Sequence, residues 1–132
     1  MEHWREAILA KLDKYTGIEV DVHETSISVT CQNLDSFDLS IFAYRDVFQV
    51  SFDGWHEQFD AVDDALNCFA FGLSEECRLR VVSRGQMDCS WTLQSRENGN
   101  WVDDTTTGLM LIPFWRRAQV RYCQNNIERK QN

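Results

Sequence analysis

The spacing of apolar positions changes period several times along the chain. Trp4, Ile8, Leu12 and Tyr15 recur at steps of four, four and three. That is one stripe of a helix whose other sides carry Glu2, Arg5, Glu6, Lys11 and Lys14. The spacing predicts a helix over residues 2–15, closed by Gly17 at the first position beyond it. A period of two follows. Ile18, Val20 and Val22 alternate with Glu19 and Asp21, and Ile27, Val29 and Cys31 alternate across residues 26–31. Both sets are predicted to face inward from half-buried strands. Residues 32–38 are turn-rich and read as a loop. Strands are expected over 39–44, 47–52 and 55–59, with tight links at Arg45–Asp46 and at Asp53-Gly54, the latter a dipeptide suited to a type I′ hairpin.

Val62, Leu66, Phe69 and Leu73 return to helical spacing. They predict a helix over 60–73, with Asp60 as N-cap, Asp63 and Asp64 in the first turn and Gly72 as the terminating residue. Cys77, Leu79 and Val81 then define the inner face of a strand over 77–83, with Arg78 and Arg80 opposite. Asn98-Gly99 is the strongest turn signal and joins strands 87–96 and 100–107, pairing Arg96 with Trp101 and Ser95 with Val102. Leu109–Ile112 is apolar throughout and reads as doubly buried. Pro113 marks a bend. Residues 114–124 read as a last strand with Val120 and Tyr122 inward, and 125–132 as a polar, frayed end.

A run of hairpins with only two helices implies an α+β fold. The expected form is a large curved antiparallel sheet, helix 60–73 on its concave face and the N-terminal helix at one end. A chain of 132 residues with 43% hydrophobic positions supports a single domain over 1–132.

Charge and cysteine content narrow the function classes. Residues 1–76 carry 16 acids and 4 bases, and residues 77–132 carry 5 acids and 9 bases. An acidic first half can steer a basic protein partner, and the net charge of −8 argues against nucleic acid. The arginines at 78, 80, 84, 96, 116, 117 and 121, interleaved with Trp101 and Trp115, nevertheless keep a single-stranded nucleic-acid face as an alternative. The five cysteines are widely spaced with no CxxC, which reads as buried thiols rather than a disulfide framework or zinc site. The N-terminal stretch lacks a signal-peptide core, and no run approaches the ~18 apolar residues of a membrane span. The reading is therefore a cytoplasmic protein without a membrane contact.

Pairing the first hairpin across Asp53-Gly54 puts Phe48, Phe52, Trp55, Glu57 and Phe59 on one face. Glu57 is the residue whose type disagrees with its neighbours. A carboxylate there is a general acid or base, the polar anchor of a ligand pocket between sheet and helix, a structural ion-pair partner of Arg45 or Arg78, or a solvent-facing group. His56 opposite Ser51, with Asp60 beyond, is formally a Ser-His-Asp set, but nothing near it forms a nucleophile elbow or an oxyanion loop. His3 and His23 lack partners at ligand spacing, so neither a metal nor a cofactor is expected. The function most consistent with these features is a small acidic non-enzymatic interaction module, with a small-molecule site lined by Phe48, Phe52, Trp55, Glu57 and Phe59 as the alternative.

Overall fold

The computed structural model describes residues 3–33, 35–125 and 127. The chain is α+β and antiparallel throughout. Helix α1 spans His3–Leu12. A five-stranded meander follows: β1 Ile18–Val22, β2 Ser26–Cys31, β3 Leu39–Tyr44, β4 Val47–Phe52 and β5 Trp55–Phe59. Helix α2 spans Val62–Leu73. A second sheet holds β6 Cys77–Arg84, β7 Met87–Glu97, β8 Asn100–Gly108 and β9 Ala118–Cys123, in the order β8-β7-β6-β9.

The expected curved sheet thus runs as two ladders with α2 between them, packed on β3, β4, β5 and β6. Its Ala65, Phe69 and Leu73 join Ile41, Val50, Phe52, Trp55, Leu79 and Val81 in one core. Rings fill the wide span between sheet and helix: Phe52 stacks on Trp55 at 5.0 Å and tilts against Phe37 at 5.3 Å. Helix α1 closes one end, burying Trp4, Ile8 and Leu12 as its stripe requires.

Between β5 and β8 the backbone ladder is replaced by side chains. Trp55 Nε1–H donates to Thr105 Oγ1 at 3.0 Å, and the His56 backbone N–H donates to Thr107 Oγ1 at 3.2 Å. Trp91 of β7 lies against the turn at Gly54, where any Cβ would overlap its ring. At the other side of the molecule Asn125, 1% exposed, accepts from the Phe37 N–H at 2.9 Å and donates to the Gly72 carbonyl at 3.1 Å. One side chain thereby ties the end of β9 to the first sheet and to α2.

The hairpin registers match the sequence reading, with Phe52 opposite Trp55, Val50 opposite Glu57, Ser95 opposite Val102 and Arg96 opposite Trp101. Asn98 (φ 52°) and Gly99 (φ 80°) take the positive angles of a type I′ turn. At 53–54 only Asp53 (φ 51°) does, so that turn departs from type I′.

Several expectations are corrected. Helix α2 follows Ala61, not Asp60, because β5 runs to Phe59 and two residues are needed to turn out of the sheet. Gly72 does not terminate α2 but lies inside it, against the Phe52 ring and Leu39, and Ser74 closes the helix by hydrogen-bonding the Phe71 carbonyl. Leu109–Ile112 is neither a strand nor buried. The last strand starts at Ala118, and its Val120 and Tyr122 face outward beside Val82 and Arg80, because Cys123 takes the inward register opposite Leu79. The frayed end expected over 125–132 lies outside the described residues except for Asn125 and Ile127, and both of these pack inward.

Replacing Gly72 by Ala is expected to lower unfolding free energy by about 1–3 kcal/mol, since overpacking against Phe52 outweighs a gain of about 1 kcal/mol in helix propensity. Asn125→Ala strands a buried N–H and a buried carbonyl, at about 1–3 kcal/mol each. Urea midpoints at unchanged m-value measure both.

Candidate functional site

Strand order dictates the most exposed apolar element among the described residues. Strands β8 and β9 occupy opposite edges of the second sheet. The link between them, residues 109–117, must therefore cross the end of the sheet past β7 and β6, about 14 Å at three strand spacings. It carries Leu-Met-Leu-Ile-Pro-Phe-Trp-Arg-Arg. Met110, Leu111, Phe114 and Trp115 are 97%, 88%, 75% and 71% exposed. The inner face is already filled by Leu79, Val81 and Leu93, so this apolar run has no core to enter.

The loop is nonetheless held in place. Its entry is set by the Leu109 N–H, which donates to the Cys89 carbonyl at 2.9 Å. Arg84 projects from the end of β6 and donates through Nη1 to the carbonyls of Phe114 (3.3 Å) and Arg116 (3.0 Å). The Arg116 N–H closes a turn onto the Pro113 carbonyl at 2.9 Å. The Phe114 and Trp115 rings meet edge-on at 5.4 Å. Large apolar side chains are thus displayed on a pinned backbone and followed by two exposed arginines. Apolar chains displayed in this way bind a complementary surface with little ordering cost.

The outer face of the second sheet runs on from this loop through Val120 and Tyr122. Its arginines and rings alternate in a ladder. The Arg96 guanidinium lies 4.7 Å from the Trp101 ring centre, and that of Arg78 lies 4.4 Å from Trp101 and 4.1 Å from Tyr122. Arg78 Nε–H also donates to Gln94 Oε1 at 2.6 Å. Arg80 forms a bidentate pair with Asp103 at 2.9 and 3.0 Å, and Gln94 donates to the same carboxylate at 2.7 Å. These bonds hold the Asp103 carboxyl below the usual carboxylate range.

The seven arginines grouped from sequence therefore separate by role. Three belong to this ladder, Arg84 pins the loop, and Arg116 and Arg117 lie in it. Arg121, on the opposite side of β9 from Tyr122, pairs with Asp88 at 2.7 and 2.8 Å. Sequence reasoning places Tyr122 inward and Met110 and Leu111 in a doubly buried run, and does not anticipate the role of Arg84. The available signal was an apolar run without alternation, bounded by Gly108 and the Pro113 bend and followed by two arginines.

The positions expected around Glu57 have different surroundings. Phe52 and Trp55 are core residues in mutual ring contact, and Phe59 is half-buried against the core. Phe48 is buried against Trp4 and borders a cavity at the end of the sheet. Glu57 is half-buried near Cys68 of α2. The ion pair expected for it with Arg45 or Arg78 is absent among the described residues, because Arg78 belongs to the second sheet's outer face and Arg45 lies over the Tyr44 ring. A half-exposed carboxylate keeps part of its hydration and needs no such partner.

The five cysteines are free; four are buried and Cys68 is half-buried. Burial pushes the Cys31 thiol up to about 11 and that of Cys68 up to about 12, so neither supplies a thiolate nucleophile near neutrality. His56 is exposed opposite Ser51 on the first sheet's outer face. Among the described residues, no group of three or more His, Cys, Asp or Glu could hold a metal ion, and no helix is long and apolar enough to cross a membrane. Compared with protein-family models, curated proteins and solved structures, the chain finds no match in any of the three.

Removing the Arg84 staple is expected to release the loop without unfolding the sheet. In Arg84→Met, hydrogen exchange of the Phe114 and Arg116 amides should accelerate at least about tenfold, while global stability stays within about 1 kcal/mol. Equal acceleration throughout β6 and β9 would count against a local staple.

Proposed function

We propose that this chain is a non-catalytic protein-interaction module that docks through the loop 109–117. The observation that carries the reading is the exposure of Met110, Leu111, Phe114 and Trp115 on a backbone pinned by Arg84. Together they present an apolar surface on the order of 600 Å², at the upper end of what a soluble chain leaves open without a use for it. Single exposed apolar residues need no explanation, but four within six positions, two of them aromatic, resemble the anchors that dominate binding at interfaces.

The loop is convex, so its partner offers a cleft. The cleft is apolar where Leu111, Phe114 and Trp115 enter, and carries carboxylates at its rim for Arg116 and Arg117, arginine being well shaped for bidentate pairing. The rest of the molecule supports the orientation. Residues 1–76 are strongly acidic and repel an acidic rim, so the loop end is the electrostatically favoured approach. The packed state of Phe52 and Trp55 and the buried, protonated thiols weigh against chemistry in the core.

The test compares wild type with Leu111→Glu/Trp115→Glu in native extract. Wild type is expected to elute well above its 15.5 kDa chain mass and to cross-link through a photoreactive residue at position 115. The double variant should elute as a single chain with stability within about 0.5 kcal/mol of wild type, as expected of surface substitutions. Wild type at single-chain mass, or a double variant that keeps the complex, would sink the proposal. Loop-dependent sedimentation with lipid vesicles would replace a protein partner by a membrane and overturn it equally.

A further inference from the structure

The first sheet carries a separate cavity that owes nothing to the docking loop. The start of α1, the β1–β2 turn, the β3–β4 turn and the approach to α2 converge around a space of about 370 Å³. That is at the small end of the about 300–1,000 Å³ typical of ligand sites. Its floor is apolar: Trp4 and Phe48 meet edge-on at 5.9 Å, with Val62 beside them. Its rim carries both signs of charge, Arg5 and Arg45 against Glu24, Asp46 and Asp60.

Arg45 is the informative residue. It occupies the first position of the two-residue turn between Tyr44 and Val47, with φ 55°. The corresponding turn between Arg84 and Met87 in the same chain places Gly85 there, at φ 64°. A Cβ disfavours this left-handed conformation, and asparagine or aspartate tolerates it better than a long chain does. The other non-glycine residues with positive φ among those described are Asp35, Asp53 and Asn98. An arginine held there stores local strain, and such strain collects at ligand sites.

We propose that this cavity binds a free α-amino acid with an apolar side chain. The carboxylate pairs with the Arg45 guanidinium, which leaves its place 5.3 Å from the Tyr44 ring centre to do so, the ammonium group lies among Glu24, Asp46 and Asp60, and the side chain rests on Trp4 and Phe48. Mixed charge on the rim selects a dipolar ion. A simple anion meets three carboxylates, and a simple cation meets two guanidinium groups. The small volume and aromatic floor fit one side chain rather than a long peptide.

Thermal melts and titration calorimetry with millimolar L-leucine and L-phenylalanine test this. N-acetyl-L-leucine, which lacks the ammonium group, and L-leucinamide, which lacks the carboxylate, are the controls. Free amino acid is expected to raise the wild-type midpoint, as any ligand that binds only the folded state does, and both controls to leave it unmoved. Arg45→Gly relieves the strained turn, so its ligand-free midpoint should equal or exceed wild type while its affinity falls at least about tenfold, as for loss of a charge-assisted pair. Asp46→Asn should weaken binding with the fold intact. The proposal fails if neither amino acid binds wild type, if Arg45→Gly binds as wild type does, or if L-leucinamide binds as well as L-leucine.

Discussion

The constraint behind this fold is that two sheets share one core without sharing a continuous ladder. Where β5 meets β8, threonine hydroxyls stand in for strand-to-strand bonds, Thr105 taking the Trp55 indole and Thr107 the His56 backbone. Where β9 ends, Asn125 serves the Phe37 N–H and the Gly72 carbonyl at once. The two Asn125 bonds satisfy groups that burial would otherwise leave costly, so that seam is specified by chemistry and not by hydrophobicity alone. The rest follows from packing one helix, α2, across the core that the two sheets share. Helix α2 must approach closely, which demands Gly72, and the remaining space takes rings as large as Phe52, Trp55 and Phe69.

The surface of the second sheet is a consequence of its topology. Because β9 adds beside β6 and not beside β8, a connection has to pass over the sheet end, and the inner face has no room left for it. The apolar residues of that connection are therefore displayed, and Arg84 turns display into a defined shape by bonding two of its carbonyls. In the arginine–aromatic ladder beside it Arg80 is paired with Asp103 and Arg78 is hydrogen-bonded to Gln94. Nucleic-acid phosphates would have to displace those partners, against an overall charge of −8. The first sheet differs in kind: its end holds a small cavity with charges of both signs, and a strained arginine at its mouth.

Much of the architecture was legible in the chain. Hairpin registers at 53–54 and 98–99 follow from turn chemistry, since two central residues set which side chains oppose one another. The stripes Trp4–Ile8–Leu12 and Phe69–Leu73 follow from helical period. The proposed docking surface was legible only in part. The unbroken apolar run Leu109–Ile112 reads as doubly buried and is not, because hydrophobicity in sequence predicts burial only when an unfilled face is available. Val120 and Tyr122 were placed inward for the same reason, until the pairing of Cys123 with Leu79 set the register of β9. Glu57 differs in type from its neighbours on the hairpin face, but its half-exposed place near Cys68 depends on where α2 ends up.

By itself the sequence determined the local quantities: periodicity, turns, strand pairing within hairpins, the α+β class and the burial of its thiols. These depend on residues a few positions apart, whose relative geometry the backbone dictates. Tertiary structure alone decided the long-range ones: the split into two ladders, the β8-β7-β6-β9 order, the seams at Thr107 and Asn125, the display of Met110 and Trp115, and the cavity at Arg45. Each of these depends on which surfaces compete for a single core, and that competition is settled only when all the elements are packed together.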